Sequence, residues 1–426
     1  MINNNKDRVV ITGVGLITPL GNSPHELFSN LQQHRTAIGP VTKFNSSKIS
    51  DTNPFTAAEI INFDITDFGI SSRDARTLSL FQKYALAATE LAILDAGIVL
   101  PRQDIHNAQK SSNGKEDIGL VVGTAFPPAD ELGKEYKKLF TRGPRYISPH
   151  VLNMNLPNSA TSVISIRFGI RGPILTVTGA SVSGNDAIMV AFDKLQNGRS
   201  ETMIVSGTDV GASEFMVSSF YRNQAGSKSG FCRPFDLRRD GTVMGEGAAT
   251  LVLENLNHAI RRNAKIYGEI FGYGHRSDAY DMTDIPKNTA GLISAIKESL
   301  ITTNISSERI GYINAHGTGT YMNDLSETLA IKTVFGDNSK NIFINSLKGG
   351  LGHMLGAAGI VETVITLMIC DRKIILPTVG YEIPDPLCDL NYVAQAPSHL
   401  IDIDKALSIG VGMGGSNSVL VLGAFK

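Results

Sequence analysis

Ile174-Leu-Thr-Val-Thr-Gly-Ala-Ser181-Val-Ser-Gly-Asn-Asp-Ala-Ile188 is an apolar strand that breaks at small residues and runs straight into a helical pattern, with a hydroxyl at the break. Such a turn sets one side chain at a helix N-terminus, where unpaired backbone N–H groups and the helix dipole favour developing negative charge. The stretch reads as one strand-to-helix step of an α/β layer, and Ser181 marks a place for chemistry on a carbonyl.

The pattern extends in both directions. Arg8-Val-Val-Ile-Thr-Gly-Val14 reads as a first strand, and the run from Phe81 to Gly97 as a helix closed by glycine. Asp117-Ile-Gly-Leu-Val-Val-Gly-Thr124 and Met203-Ile-Val-Ser-Gly-Thr-Asp209 predict further buried strands, and Gly247-Ala-Ala-Thr-Leu-Val-Leu-Glu254 ends the series. Beyond a boundary near residues 255–264 the pattern restarts with Ala264-Lys-Ile-Tyr-Gly-Glu-Ile-Phe-Gly-Tyr273. Ile342-Phe-Ile-Asn-Ser-Leu-Lys348, a Gly-rich turn and a helix over 357–370 then mirror the step around Ser181. Two copies of one architecture are the simplest account, with residues 1–258 carrying Ser181 and residues 259–426 the histidine loops described below. The polar segment 102–116 reads as a surface loop.

Composition narrows the partners. The 426 residues are 42% hydrophobic and 19% charged, enough to bury a large core, and a formal net charge of −1 argues against bulk attraction to nucleic acid or anionic membrane. No apolar run is long enough for a membrane span; the best, residues 359–370, is short and carries Glu362. Cys232, Cys370 and Cys388 are spaced neither as a disulfide framework nor as a metal site, and the first residues have no apolar signal core, so the expectation is a reducing, cytoplasmic compartment with no bound metal.

Three further elements resemble parts of a site. Asn314-Ala-His-Gly-Thr-Gly-Thr320 presents His316 on a tight loop after a strand, where open α/β sheets place ligands, and Ser346-Leu-Lys-Gly-Gly-Leu-Gly-His353 does the same for Lys348 and His353. One histidine on such a loop is usually structural; two on matching loops shift the balance. Ser408-Ile-Gly-Val-Gly-Met-Gly-Gly-Ser-Asn-Ser418 brings backbone N–H groups close enough to serve an oxyanion, or is simply a tight crossover between strands. Asp324 and Glu327, three apart on the helix after His316, read as supporting residues that cap that helix and orient neighbours.

With these residues in view, the chain resembles the elongating β-ketoacyl-acyl-carrier-protein synthases of the thiolase superfamily. The likeness runs from Val9-Val-Ile-Thr-Gly-Val-Gly-Leu-Ile-Thr-Pro-Leu-Gly21 through Ile147-Ser-Pro149, Ser165-Ile-Arg-Phe-Gly-Ile-Arg-Gly-Pro173, Arg233-Pro-Phe-Asp236 and Arg239-Asp-Gly241 to both histidine loops and the glycine-rich end. It implies a thiolase-like duplicated five-layer α-β-α-β-α fold, a homodimer or a heterodimer with another ketosynthase, and a Claisen condensation on acyl carrier protein. In that reaction an acyl chain moves to an active-site cysteine, and the carbanion left by decarboxylating malonyl carrier protein attacks it. No cofactor is implied, since 4′-phosphopantetheine arrives on the carrier. The resemblance matches His316, His353 and Lys348 to the family's catalytic trio, gives Arg73 and Arg76 to carrier docking, and gives Met413, Gly414 and Thr242 to the oxyanion hole and the acyl gate.

The same resemblance puts Ser181 where the family's nucleophilic cysteine belongs, Thr242 and Met413 where it has phenylalanines, and Gly179-Ala180 where it has threonine-alanine. A thiol is already a few per cent thiolate at neutral pH, and a helix dipole worth about 0.3–1 kcal/mol raises that fraction several-fold. A serine hydroxyl gains almost nothing from the same field and needs a general base, for which His316 and His353 are the candidates. Two readings follow: an acyltransferase that condenses, transacylates or decarboxylates with Ser181 at the nucleophile position, or a non-condensing, chain-length-factor-like partner of a cysteine-bearing ketosynthase. A degenerate hydrolase elbow at Gly179-Ala-Ser-Val-Ser183 fits poorly, because its last position is serine and it leaves one histidine loop too many.

Overall fold

Runs of Val, Ile and Leu become strands wherever both faces find cover. The computed structural model describes residues 8–45, 55–105, 115, 117–126, 128–395 and 400–426, so the expected loop at 102–116 lies mostly outside the described residues. The strands are β1 (Val9–Ile17), β2 (Ile38–Pro40), β3 (Thr56–Ala58), β4 (Ile118–Gly123), β5 (Ile174–Val177), β6 (Thr202–Val210), β7 (Met244–Asn255), β8 (Gly268–Ser277), β9 (Ile310–Asn314), β10 (Phe343–Asn345), β11 (Lys405–Gly412) and β12 (Ser416–Gly423).

Their order is β5-β4-β6-β7-β1 followed by β8-β12-β11-β9-β10, with β2 and β3 attached to β7. Read from its outer edge to the seam, each group of five lists its strands as third, second, fourth, fifth and first in chain order. The directions repeat as well. β4 is parallel to β5 and β6 while β7 is antiparallel to β6 and β1; β9 is parallel to β10 and β11 while β12 is antiparallel to β11 and β8. The two groups meet at a short antiparallel seam pairing Val9, Val10 and Ile11 with Ile270, Glu269 and Gly268.

Helices complete five layers. Leu80–Asp95 and Ser159–Phe168 cover one outer face, Ala290–Thr303 and Tyr321–Phe335 the other, and Ser183–Gln196 lies with Ala358–Arg372 between the two five-strand groups. Ile188, Phe192, Ile360, Val364 and Leu420 share one fully or nearly fully buried cluster there, each side chain contributing about 1.5–3 kcal/mol through burial. The two central helices approach at glycines: a Cβ on Gly184 would sit 2.6 Å from the Gly356 carbonyl oxygen, and one on Gly359 would sit 2.1 Å from Asn185 Oδ1. Any larger residue at this crossing would push apart the segments that carry Ser181 and His353.

Two expectations need correction. β5 is not a buried strand: Ile174 and Leu175 are 43% and 42% exposed, because β5 ends the sheet and pairs only with β4. The stretch after β10 is not a plain Gly-rich loop either, since Lys348–Leu351 closes a helical turn that buries Lys348. No helix among the described residues is long and apolar enough to cross a membrane.

Candidate active site

Ser181 is held by local strain. Ala180 adopts a left-handed φ of 54°, which costs an L-residue about 1–2 kcal/mol. The Ser183 hydroxyl offsets part of that cost by accepting from the Gly179 N–H at 2.9 Å and donating to the Ala180 carbonyl at 2.6 Å. The turn delivers the Ser181 hydroxyl, only 9% exposed, to the end of β5 just ahead of the helix Ser183–Gln196.

The second half supplies the imidazoles. His353 Nε2 lies 2.7 Å from Ser181 Oγ, and the His316 ring stands nearly perpendicular to that of His353 with centroids 5.3 Å apart. The partner of the other His353 nitrogen settles its tautomer. The Leu355 N–H donates to Nδ1 at 3.3 Å, so in the neutral ring the proton sits on Nε2 and faces Ser181 Oγ. In this arrangement the Nε2–H of His353 faces Ser181 and its lone pair is turned to Leu355, which leaves His316 as the other candidate for a general base.

Lys348 does not reach into the cavity. Its ammonium, 1% exposed, donates to the His316 carbonyl at 2.5 Å and to Glu362 Oε1 at 2.6 Å, bracing the histidine loop against the central helix. Glu327 accepts the backbone N–H groups of His316 and Gly317 at 2.7 and 2.6 Å, and Asp324 accepts those of Phe235 and Gly319 at 2.7 and 3.2 Å. Both carboxylates therefore support the site, but by gripping the preceding loops and not by capping their own helix. Burial pushes Glu327 up to about 8, with Asp324 adding to it, and pushes Asp324 up to about 6.

Ser181, His316 and His353 open onto a cavity of 550 Å³ that also includes Thr242, Thr318, Thr320 and Met413. Met413 is 43% exposed at its mouth. Gly414 is not a free donor, since its N–H is spent on the Met282 carbonyl at 2.9 Å. Arg73 and Arg76 are exposed on and beside the short helix Ser72–Ala75, and neither lines the cavity. Sequence reasoning missed Glu362, whose signal was an acid in the apolar middle of the helix Ala358–Arg372, and the Thr318 and Thr320 hydroxyls, 2.9 Å apart on the cavity wall.

Burial, reinforced by the nearby Lys348 ammonium, holds both imidazoles well below the ordinary histidine range. Unfolded histidine titrates at about 6.5, so below that pH the unfolded chain binds more protons and the stability tied to each neutral ring is lost as pH falls through its depressed folded value. Glu327 acts with the opposite sign, its contribution fading as pH rises through about 8. A non-titrating His316→Gln variant isolates the imidazole term. Its melting temperature is expected to fall less steeply than that of the parent between pH 6.5 and 5, and parallel profiles would count against a buried neutral His316.

A two-helix middle layer between strand groups of repeated topology thus brings one hydroxyl beside two imidazoles. Comparison with known proteins gives the family. The chain matches the family described as beta-ketoacyl synthase, N-terminal domain, over residues 6–259 and its C-terminal domain over residues 267–382. It is 37% identical to the 3-oxoacyl-[acyl-carrier-protein] synthase 2 of Synechocystis sp., over 100% of this chain and 99% of that protein. The protein of the same name from Coxiella burnetii is 35% identical over 98% of both. Among solved structures, a beta-ketoacyl synthase from Burkholderia phymatum superposes with a TM-score of 0.86 at 29% identity, covering 99% of this chain and 100% of that one. The ishigamide ketosynthase/chain length factor gives 0.89 at 27%, with the same coverage. The chain belongs to the beta-ketoacyl synthase family, and its fold is thiolase-like.

Proposed function

We propose that the protein acts on acyl and malonyl thioesters carried by acyl carrier protein, in fatty-acid or polyketide-type synthesis, with Ser181 in the nucleophile position. The observation that carries this reading is the 2.7 Å contact between Ser181 Oγ and His353 Nε2, with the His316 ring beside it in one cavity. The Synechocystis and Coxiella relatives are named 3-oxoacyl-[acyl-carrier-protein] synthase 2, and a type II polyketide ketosynthase in complex with its acyl carrier protein, AntDE:AntF, superposes with a TM-score of 0.83 at 29% identity. The carrier brings its own pantetheine arm, whose amides suit the Thr318 and Thr320 hydroxyls. Arg73 and Arg76 remain the proposed contacts for the acidic carrier.

Two steps differ in what they ask of Ser181. Acyl transfer needs the hydroxyl proton to leave while the thioester C–S bond breaks, and His353 already holds its own proton on the facing nitrogen. Decarboxylation needs no nucleophile: the malonyl C–C bond breaks, carbon dioxide departs, and the electron pair forms a thioester enolate whose oxygen accepts hydrogen bonds from His316 and His353 before carbon takes a proton from water. Decarboxylation of malonyl carrier protein is therefore the faster reaction and acylation of Ser181 the slower. Intact-mass measurement of protein and carrier tests this. The expected result is acetyl carrier protein formed by the parent and by Ser181→Ala, lost in His316→Ala, with an adduct on the parent only. Absence of both adduct and decarboxylation sinks the enzymatic reading.

That outcome would leave the second reading, a non-condensing subunit paired with a cysteine-bearing ketosynthase. What favours a partner of either kind is the open edge of β5, where Ile174 and Leu175 stand half out in water. We propose a homodimer or heterodimer through that edge.

A further inference from the structure

Behind the nucleophile turn lies a polar contact that the chemistry above does not use. Gly179 precedes Ser181 by two residues, and a Cβ there would lie 2.3 Å from Asp186 Oδ2. The Asp186 carboxylate thus fills the space that any side chain at position 179 would need. Its other oxygen, Oδ1, is buried and has no hydrogen-bond partner among the described residues. His275 on β8 brings Nε2 to 3.7 Å from it, too long for a hydrogen bond, and burial holds that imidazole below the ordinary histidine range. The same Nε2 lies 3.0 Å from the hydroxyl of Ser416, the first residue of β12.

Ser416 ends the tight turn that carries Met413 to the cavity mouth. That turn rests on the nucleophile turn directly, since a Cβ on Gly412 would lie 2.8 Å from the Gly179 carbonyl oxygen. It is pinned from the other side by the Gly414 N–H to Met282 and the Asp278 N–H to Gly415. Other charges also neighbour His275: Glu298 accepts its backbone N–H at 2.8 Å and pairs with Arg276 at 2.5 Å.

We infer that Asp186 and His275 are positioning residues that tie the 412–416 turn to the 179–181 turn, so that movement of Met413 at the mouth and alignment of the Ser181 hydroxyl are coupled. The inference rests on the proposed use of Ser181 for what the coupling serves, but not for its existence. Coupling between sites is reciprocal, so loosening either end loosens the other.

Amide hydrogen exchange on the intact chain measures this without turnover. Asp186→Asn lies on the central helix, yet it is expected to speed exchange across 412–416 by about 5-fold or more, and His275→Gln on β8 to do the same across 179–186. The double variant is expected to match either single one, because both break one link. With carrier-bound acyl substrate, both variants are expected to raise KM more than they lower kcat. Ser416→Ala supplies the same readout should either variant fail to fold. Exchange changes confined to each mutated segment, or additive effects in the double variant, overturn the coupling whether or not Ser181 is ever acylated.

Discussion

Ser181→Cys is expected to raise the rate of acyl-enzyme formation by about 10²–10⁴-fold, the range that a missing general base ordinarily costs. The reason lies in the hydrogen bond between Ser181 and His353. Leu355 fixes the imidazole proton on the nitrogen that faces residue 181, so the ring can support an anion there but cannot create one. A hydroxyl, far from ionising at neutral pH, finds no acceptor for its proton in His353. A thiol is already partly thiolate, and it would meet the same Nε2–H together with the N-terminal end of the helix Ser183–Gln196, both of which favour its anion. Time-resolved intact-mass measurement with an acyl carrier protein reads the effect. Rates within about threefold of the parent would mean that the hydroxyl finds a base after all, contrary to the expected general-base range.

Lys348→Met is expected to destabilise the fold by about 3–5 kcal/mol, the usual penalty for leaving one partner of a buried ion pair alone. Both members of the pair are almost fully enclosed, and Glu362 would keep its charge only at great cost or take up a proton. The double variant Lys348→Met/Glu362→Leu is expected to recover most of the loss, since well-packed apolar substitutes for a buried pair are often neutral or better. Urea unfolding separates the two outcomes, and a single-variant loss below about 1 kcal/mol would place the pair among weak surface bridges. The same substitution removes the cation that helps hold both imidazoles neutral, so their titration should move back up towards the ordinary range.

Much of this could be read from residue order. The step around Ser181, the two histidine loops and the restart after residue 255 rest on local signals, namely β-branched runs, glycine breaks and helical periodicity, and the structure forms strands and helices at those places. What escaped was set by partners distant in the chain. Glu362 looked like a blemish in an apolar helix because its ammonium partner stands fourteen residues earlier, across a turn. Asp324 and Glu327 looked like caps because their backbone donors belong to loops that only folding brings alongside. The role of His353 depended on one backbone amide two residues away, a donor that sequence pattern does not announce. Ile174 and Leu175 looked buried because a terminal strand has the same composition as a central one.

The short seam between β1 and β8 carries an asymmetry. His316 and His353 both belong to the second repeat, while Ser181 belongs to the first, so a rocking of one repeat against the other would stretch the oxygen-to-nitrogen contact and leave the two rings together. Loosening that joint would then act as a selector. Carbon dioxide loss, which asks only for the paired rings, would continue, and transfer onto the hydroxyl would fail first.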